Sequence, residues 1–404
     1  MGHQKKIAVI GGGAAGFFAA INMAQKYPEL DVTIYEKSNQ LLGKVKVSGG
    51  GRCNVTHACF EPKELIKFYP RGGNELLNLF KSFQPKNTIE WFENRGVKIK
   101  QEEDGRMFPV TNKSQTIIDC FMSEAEKSKV KIKTGLGLSS LEKVGEKWKL
   151  EFNKEKTESV DVVMIAAGSS ELIWNLMRGL KHTIIPPIPS LFTFHIKDKR
   201  IDGLMGLSVP NAVVQMKGRE IKTNGPLLIT HWGMSGPAVL KSSAWEAIFL
   251  NEKNYYTEVL INFTGQPKEE IRKQLSVLRD VEAKKLLGTF TQFGLPTRLW
   301  KQLCDGMNLS DRKWAGLGNK DLDLIATELC AGVYLMNGKT TFKEEFVTCG
   351  GISLDEVNMK TMESKLHSGL FFGGEVLNID AVTGGFNFQA AWTTGWTVSE
   401  NVGK

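Results

Sequence analysis

The sequence predicts an α/β fold in which a parallel-sheet domain is interrupted by an inserted antiparallel β domain and a small helical part. Three observations predict it. Residues 6–36 have the pattern of strand, glycine turn, helix and strand, residues 191–264 that of short alternating strands, and glycine-rich sequence returns at 348–391. A first strand at residue 6 and a glycine turn near residue 385 can serve one ligand if the middle of the chain is an insertion.

The composition is typical of a globular protein. The 404 residues suffice for one to three domains, with 41 % hydrophobic and 24 % charged residues. No stretch approaches the length of apolar sequence that a membrane span needs, so no membrane contact is expected. The first residues, MGHQKKIAVIGGG, lack an apolar stretch of signal-peptide length, which predicts a cytoplasmic protein.

The formal charge of +8 favours anionic substrates or cofactors. The basic residues are dispersed, so no nucleic-acid partner is expected, and the partner we expect is a small-molecule substrate. Six cysteines in 404 residues are too few for a disulfide framework, and because they contain no C-x2-C pair we expect no structural zinc site and no metal. The sequence leaves the oligomeric state open.

The N-terminal unit carries the clearest chemical signal. KIAVI is a strand, GGGAAG a turn, FFAAINMAQKY a helix, and DVTIYE the next strand. In this setting Gly11 permits a tight turn, Gly13 lets a pyrophosphate approach the backbone, and Gly16 lets helix and strand pack closely. Glu36, twenty residues beyond Gly16, can accept hydrogen bonds from a ribose. The pattern predicts a Rossmann-like dinucleotide site and leaves NAD or FAD open; GLGLSS at 135–140 lacks the third glycine and the helix of a second site.

The stretch VSGGGRCNVTHACF, residues 47–60, allows three interpretations: a redox dithiol of Cys53 and Cys59, half a metal site, or a loop against a ligand. Clustered glycines favour backbone lying against a ligand, with Arg52 offering a positive charge and Cys53 packed as a small apolar group. The dithiol is the weaker alternative, because neither an activating base nor a second nucleotide domain is evident.

The middle of the chain predicts the insertion. Residues 62–126 are mostly helical, VDVVMIAAGSS is a buried strand ending in small residues, and three prolines in IIPPIPSLFTF mark a boundary. The strands that follow predict a barrel or a sandwich, and helices then begin near Pro267, in PTRLWKQL and in NKDLDLIATELC. In THWGMSGPAVL, Ser235 is either a helix N-cap or part of a loop covering a ligand, and His231 is the histidine we single out.

At the C-terminus, GLFFGGEV is a strand ending in glycines, and TGGFNFQ is a glycine turn entering a helix. Together with VIGGGAAG, GKVKVSGGGRCNVT, THWGMSGPAVL and TCGGIS, these segments resemble the BaiN-type family of bacterial flavoproteins over the whole chain. The resemblance implies a Rossmann-like FAD-binding domain, residues 1–189 and 346–404, interrupted by an antiparallel β-barrel domain, 190–265 and 331–345, and by a helical subdomain, 266–330.

The resemblance also implies which residues hold FAD. They would bind the pyrophosphate, the riboses, the adenine and the flavin, and they are Gly11, Gly13, Ala14, Ala15, Gly16, Glu36, Lys37, Lys44, Ser48, Gly49, Gly50, Gly51, Arg52, Cys53, Asn54, Leu138, Ala166, Ala167, Gly168, Gly374, Glu375, Asp380, Thr383, Gly384, Gly385, Phe386, Asn387 and Phe388. Lys44 stands where the family more often has arginine, His57 where it more often has asparagine, and Ala381-Val382 where it more often has Gly-Pro.

The function that follows is an FAD-dependent oxidoreductase transferring hydride through flavin N5. The resemblance implies NAD(P)H-linked reduction of a small enone-like substrate, with NAD(P)H as transient electron donor. One alternative is an amine oxidase that passes electrons to oxygen, and an alternative of another class is a non-enzymatic FAD-binding or RNA-associated protein. The sequence identifies no catalytic acid or base.

Overall fold

The structure of the protein, a computed structural model, describes residues 4–153, 155–340 and 347–403. The chain forms two compact units, one of Met1–Ile188 with Lys343–Lys404 and one of Pro189–Phe342. The predicted domain limits at residues 1, 345, 346 and 404 lie outside the described residues. Across the described ranges, no helix has the length and apolar character needed to cross a membrane.

The helices of the described residues, in chain order, are α1 Ala14–Lys26, α2 Gly43–Gly51, α3 Pro62–Leu65, α4 Gly73–Ser82, α5 Pro85–Glu93, α6 Ser114–Lys127, α7 Glu171–Gly179, α8 Pro237–Trp245, α9 Ala247–Glu252, α10 Lys268–Val281, α11 Thr297–Gly306, α12 Asn319–Ala331 and α13 Phe386–Asn401. Short 3-10 turns occupy Ile66–Phe68, Leu287–Thr289, Trp314–Gly316, Leu354–Glu356 and Gly374–Val376.

The strands are β1 Lys6–Ile10, β2 Asp31–Tyr35, β3 Thr56–His57, β4 Ile99–Gln101, β5 Arg106–Pro109, β6 Lys131–Lys133, β7 Leu138–Val144, β8 Lys147–Phe152, β9 Lys156–Val160, β10 Val162–Ile165, β11 Ile184–Ser190, β12 Phe194–Ile196, β13 Ser208–Met216, β14 Lys222–Thr230, β15 Gly233–Ser235, β16 Tyr256–Asn262, β17 Gly332–Lys339, β18 Val347–Ile352, β19 Val357–Asn358, β20 Glu363–Ser364 and β21 Leu370–Phe372.

The first unit is built on a seven-stranded sheet in the order β19-β20-β21-β10-β1-β2-β6. Strands β21, β10, β1, β2 and β6 run parallel, and β19 and β20 add an antiparallel edge. All four residues of β10 and the last four of β1 are buried. Parallel strands covered on both faces need such continuous apolar sequence, which is why KIAVI and VVMI lie at the centre.

Helices α1 and α13 pack closely on one another. Gly395 makes this possible, because a Cβ there would lie 2.9 Å from the carbonyl oxygen of Ala15. Beside them an aromatic core joins Phe18 to Trp91 at 4.8 Å and to Trp392 at 5.4 Å between ring centroids. Tight packing of the last helix on the first fixes the C-terminal glycine turn relative to the N-terminal one.

Three smaller sheets complete this unit: β3-β5-β4, β7-β8-β9 and β11-β18. The hairpin through KWKLEF, predicted from its alternation, is present as β7 and β8. Two strands of the first of these sheets, β4 and β5, lie within residues 62–126, where the sequence predicts mostly helix; each has only three or four residues, too few to show a strand pattern.

The second unit contains a closed antiparallel barrel in the order β12-β15-β14-β13-β16-β17. Buried and exposed side chains alternate along β17, as a barrel wall requires. Helices α10 and α12, predicted as part of the insertion, belong to the same unit. Of the two arrangements that the strand pattern left open, the barrel is therefore the one observed.

Of the two interpretations of Ser235, the helix N-cap is wrong. Ser235 is the last residue of β15, and its hydroxyl oxygen accepts a hydrogen bond from the Thr193 hydroxyl at 2.8 Å. The N-cap of α8 is Gly236, at φ +89, where a Cβ would lie 2.7 Å from the carbonyl oxygen of Pro226. The close approach of β14 therefore selects glycine at the cap and leaves Ser235 one residue outside it, while Pro237 opens the helix as predicted.

Candidate functional site

The glycine turn after β1 has an open face and two crowded ones. Gly11 lies at φ +116, and a Cβ there would lie 2.4 Å from the carbonyl oxygen of Ala166. A Cβ on Gly16 would lie 2.0 Å from the Gly11 carbonyl oxygen, whereas a Cβ on Gly13 would meet nothing within 4 Å. Gly13 is also the N-cap of α1, and no side chain caps that helix. The first and third glycines thus serve packing, and the second leaves the helix N-terminus open to an anion.

This turn lies where the strand order reverses. Strand β1 has β2 on one side and β10 on the other, and the chain leaves these parallel strands at the same edge of the sheet. Open α/β sheets bind ligands at such a reversal, outside the carboxyl ends of the strands. The predicted residues that follow these strand ends are Gly11, Gly13, Glu36, Lys37, Ala166, Ala167, Gly168 and Gly374.

Glu36 closes one side of the turn. Its carboxylate accepts hydrogen bonds from the backbone N–H of Gly12 at 2.8 Å and from that of Ser38 at 2.9 Å. Each carboxylate oxygen keeps a further lone pair, so a ribose diol can still donate to it. Lys37 is exposed, and Leu138, the first residue of β7, is buried and offers only apolar surface.

The stretch 43–54 is a short helix that breaks at its glycines. Helix α2 loses helical geometry at Ser48, and Gly49, Gly50 and Gly51 all have positive φ. A Cβ on Gly49 would lie 3.0 Å from the backbone nitrogen of Asn54, but those on the next two glycines would meet nothing within 4 Å. The left-handed turn therefore exposes backbone to open space, as expected for a loop that lies against a ligand.

The two cysteines of this stretch are poor candidates for redox chemistry. Cys53 is fully buried, and burial raises the pKa of its thiol to about 12. Burial also raises the pKa of the Cys59 thiol. Since the thiolate is the nucleophile in disulfide exchange, both side chains are held in the unreactive form near neutral pH. The structure thus supports packing rather than a dithiol for Cys53.

Arg52 is not a free positive charge. Its guanidinium lies 4.0 Å from the ring centroid of Phe108, and its Nη1 is 2.6 Å from a carboxylate oxygen of Glu102. The stacked and paired guanidinium anchors the glycine turn to strand β5, which carries Phe108. Arg52 therefore attracts an anionic ligand less strongly than an unpaired guanidinium would.

Asn54 carries an unsatisfied polar atom beside the C-terminal glycine turn. Its side chain is more than nine-tenths buried, and its Oδ1 has no hydrogen-bond partner among the described residues. A Cβ on Gly385 would lie 2.9 Å from this Oδ1 and 2.6 Å from the carbonyl oxygen of Thr56. Gly385 is the N-cap of α13 at φ +93, without a side-chain cap. A ligand with a hydrogen-bond donor could satisfy this buried acceptor beside the uncapped helix N-terminus.

A third group joins the start of α2 to the residues that follow β10 and β21. The ammonium of Lys44 forms an ion pair with Glu375 and lies 3.4 Å from the Ser169 hydroxyl. The other carboxylate oxygen of Glu375 accepts from the Thr348 backbone N–H at 3.1 Å. Gly168 faces this cluster, since a Cβ there would lie 3.7 Å from Glu375. The fold therefore brings Lys44 next to residues far along the chain. The lysine offers a single point charge, whereas the arginine that the family more often has at this position would offer a planar group with several donors.

The loop before α13 is held by its own side chains. The Asn387 amide donates to and accepts from the backbone of Ala381, both at 2.9 Å, and Phe388 stacks on Trp392. Asp380 is fully buried, and both its carboxylate oxygens bind the guanidinium of Arg71. These predicted residues shape the loop, while Thr383, Gly384 and Gly385 form the turn itself.

Sequence reasoning missed two residues that pack on this turn, Phe68 and Tyr69. The rings of Phe68 and Phe386 are stacked at 4.3 Å, and the His57 ring lies 4.6 Å from Phe386 and 5.8 Å from Phe68, so the three rings form one cluster. The Tyr69 hydroxyl donates to the backbone carbonyl of Phe386 at 2.7 Å. The motif RCNVTH pointed towards His57, but no local signal marked Phe68 or Tyr69, more than 300 residues from Phe386.

These observations fit FAD, an extended dinucleotide with a polar-edged tricyclic ring. The open N-terminus of α1 fits the pyrophosphate, and Glu36 fits a ribose. The unpartnered Oδ1 of Asn54 and the uncapped N-terminus of α13 fit the polar edge of the flavin. In the described part of the chain, no cluster of three or more histidine, cysteine or acidic side chains could hold a metal ion.

The family model described as the HI0933-like protein Rossmann domain matches residues 5–401. The chain belongs to this HI0933-like family. The resemblance to BaiN-type flavoproteins is confirmed, as are the Rossmann-like fold with its inserted antiparallel barrel, FAD as the cofactor, and an oxidoreductase function.

Curated relatives of this HI0933-like protein match over nearly its whole length. The ribosomal RNA dihydrouridine synthase of Haemophilus influenzae is 26 % identical and covers 100 % of both chains. The 3-dehydro-bile acid Δ(4,6)-reductase of Clostridium scindens is 25 % identical and covers 97 % of this chain and 98 % of its own.

Solved structures share the fold of this family member. A flavocytochrome c3 fumarate reductase matches with a TM-score of 0.52 at 14 % identity, covering 99 % of this chain and 78 % of its own. The 3-ketosteroid-Δ4-(5α)-dehydrogenase of Rhodococcus jostii RHA1 matches with a TM-score of 0.51 at 12 % identity, covering 99 % of this chain and 98 % of its own. At these identities the likeness establishes the architecture alone.

Proposed function

We propose that this protein catalyses the NAD(P)H-linked reduction of a carbon–carbon double bond conjugated to a carbonyl group, with a small enone as substrate. The proposal is supported by the type of reaction that the names of two relatives have in common. Dihydrouridine is uridine with its 5,6 double bond saturated, and a Δ(4,6)-reductase acts on double bonds conjugated to the 3-oxo group of a steroid. Both names describe addition of hydrogen to an activated double bond.

When bound, FAD supplies the hydride chemistry at its N5 position. The chain's own contribution is to bind and orient it. The α1 N-terminus beyond Gly13 would hold the pyrophosphate, and the α13 N-terminus beyond Gly385 would stabilise negative charge at the edge of the ring. The buried Asn54 amide would add a polar contact in the same place, where low polarity strengthens it.

An aromatic wall lies beside this turn. The rings of His57, Phe386 and Phe68 form one cluster, and the Nε2 of His57 lies 3.1 Å from the Asp104 carbonyl oxygen. Such a wall suits a planar, largely apolar substrate. The sequence contains one dinucleotide motif, so the nicotinamide donor would bind transiently without a second Rossmann unit.

Anaerobic mixing tests the proposal. Purified protein loaded with FAD is mixed separately with NADH and NADPH while flavin absorbance near 450 nm is followed, and 2-cyclohexenone, a 4-en-3-oxosteroid or a uridine-containing RNA is then added. We expect one donor to bleach the flavin and one acceptor to restore its absorbance, with stoichiometric saturated product. Cyclohexanone, which has no double bond, is the matched control acceptor.

Other outcomes would contradict the proposal. Oxygen consumption with a primary amine, without bleaching by either nicotinamide, would favour the amine oxidase. Tightly bound FAD that no donor reduces and no acceptor reoxidises would favour the non-enzymatic alternative.

A further inference from the structure

A buried polar network ties helix α13 to strand β3 and helix α5. Its four side chains are all fully buried: Gln389 and Thr393 on α13, Thr56 on β3 and Thr88 on α5. The Thr56 and Thr88 hydroxyls donate to the Gln389 Oε1 at 2.6 and 2.9 Å. The Gln389 Nε2 donates to the Thr393 hydroxyl at 3.0 Å. We call these four side chains the Gln389 network.

The orientation of the Gln389 amide follows from the outermost hydrogen bond of the network. The Thr393 hydroxyl donates its one proton to the Phe83 carbonyl oxygen at 3.0 Å, so towards Gln389 it can only accept. The amide nitrogen therefore faces Thr393, and the amide oxygen faces the threonines of β3 and α5. A buried amide that is bonded at both its nitrogen and its oxygen has a single orientation, so the network makes this part of the core rigid.

Thr56 connects the network to the glycine turn before α13. A Cβ on Gly385 would lie 2.6 Å from the Thr56 carbonyl oxygen and 2.9 Å from the Asn54 Oδ1. Gln389 lies one helical turn beyond Gly385, and its backbone N–H donates to the Gly385 carbonyl oxygen at 3.0 Å. Because Gln389 also binds the Thr56 hydroxyl, it fixes how far the backbone of β3 stands from the N-terminus of α13.

A second side chain of α13 holds the same part of the chain. The Trp392 Nε1 donates to the Val55 carbonyl oxygen at 2.9 Å, and the indole is fully buried. Gln389 and Trp392 are three positions apart and therefore lie on one face of the helix. One binds a side chain of β3 and the other binds the backbone just before it. The spacing between residues 54–57 and the α13 N-terminus is thus set from within α13.

We propose that Gln389 is a positioning residue that sets the reduction potential of the bound flavin by acting through Thr56. Reduction adds negative charge at the edge of the ring, which the α13 N-terminus would stabilise. Interaction of a charge with a helix end falls off within one turn, so the spacing that Gln389 fixes governs its strength. The inference rests on the proposed placement of the flavin edge at Gly385, and on neither a nicotinamide donor nor a substrate.

Anaerobic titration of FAD-loaded protein with dithionite, beside a dye of known potential, tests the inference. Thr56→Val removes the hydroxyl and keeps the side-chain shape, so the flavin potential should become more negative. The shift should correspond to a roughly 2- to 5-fold smaller preference for reduced over oxidised flavin, the size of a charge–helix interaction. Thr56→Ser restores the hydroxyl and should restore the potential. Gln389→Leu should shift the potential in the same direction, and adding Thr56→Val to it should change little, because both remove one bond.

Thr88→Val is the matched control. It removes a hydroxyl that donates to the same Oε1, but this hydroxyl comes from α5, and the bond to Thr56 remains. Chemical denaturation should show a loss of stability like that of Thr56→Val, whereas the flavin potential should stay unchanged.

Two results would overturn the inference. They are a Thr56→Val protein with the potential of the unmodified protein, and equal shifts in Thr56→Val and Thr88→Val, which would indicate a general loss of packing. Dithionite reduces the flavin without a nicotinamide. The shift predicted for Thr56→Val, in a protein that neither NADH nor NADPH reduces, would therefore support the inference and contradict the proposed reaction.

Discussion

Arg71 and Asp380 form a two-pronged ion pair that ties the turn before α4 to the loop before α13. The Nε of Arg71 donates to Oδ1 of Asp380 at 2.5 Å, and Nη2 donates to Oδ2. Their backbones also form an isolated bridge, and the Val382 N–H donates to the Phe68 carbonyl at 3.0 Å. The acid predicted to contact the cofactor therefore acts through Arg71, by fixing the loop that carries Gly384 and Gly385.

Asp380→Asn should destabilise the protein by about 3–5 kcal/mol, because it leaves a largely buried guanidinium without its counter-charge. FAD affinity should fall with it, since the loop before α13 loses its anchor. Chemical denaturation and FAD titration measure the two effects. The control is Glu400→Gln, which removes a surface ion pair with Lys26 and should cost no more than about 1 kcal/mol. Equal effects in the two variants would contradict the anchoring role.

Gly385→Ala should abolish or severely weaken FAD binding. The added methyl would meet the Thr56 carbonyl oxygen at 2.6 Å, at a φ of +93 that L-residues rarely adopt. Gly145→Ala is a control for backbone strain alone, because Gly145 also has positive φ but meets nothing within 4 Å. FAD content after desalting, compared between the two variants, checks the prediction. Gly385→Asp should have the larger effect, since a carboxylate would also oppose the flavin charge.

Asn54→Leu should change stability and cofactor affinity in opposite directions. The variant removes a buried carbonyl oxygen that has no partner, so the FAD-free protein should gain up to about 1–3 kcal/mol. FAD affinity should fall, because the ring loses a polar contact. Asn387→Leu is the matched control: its amide bonds the Ala381 backbone twice, so the FAD-free protein should lose stability. If FAD-free Asn54→Leu protein is also less stable, the Oδ1 already has a partner.

Cys53 should act as a packed thiol and not as a redox group. Its folded pKa, about 12, lies above the unfolded value near 9, so burial of the thiol stabilises the fold fully below about pH 9. That contribution is lost as the pH rises, by about 1.4 kcal/mol per unit between 9 and 12. Cys53→Ala should therefore unfold with a weaker dependence on alkaline pH, as denaturation between pH 8 and 10.5 would measure. Turnover should survive, and its loss with FAD still bound would restore the dithiol interpretation.

Much of the nucleotide-binding geometry could be predicted because it is local. Gly11, Gly13 and Gly16 lie within one turn, and each has the environment that its spacing implied. The strand β2 ends just before Glu36, so the order of strand, glycine turn, helix and strand was enough to place that carboxylate beside the turn. The closed barrel could not be predicted from the strands alone, since alternation is equally compatible with a sandwich.

The sequence by itself determined the β–α–β unit, its glycine turn, a dinucleotide as the class of ligand and the presence of an antiparallel insertion, because short-range periodicity and turn chemistry encode them. Only the tertiary structure decided the partners that give these residues their roles: Arg71 for Asp380, Asn54 for Gly385, His57 for Phe386, and Thr56 for Gln389. The physical reason is distance along the chain. These contacts join residues more than 300 positions apart, and their energies depend on burial and close approach that no local pattern records.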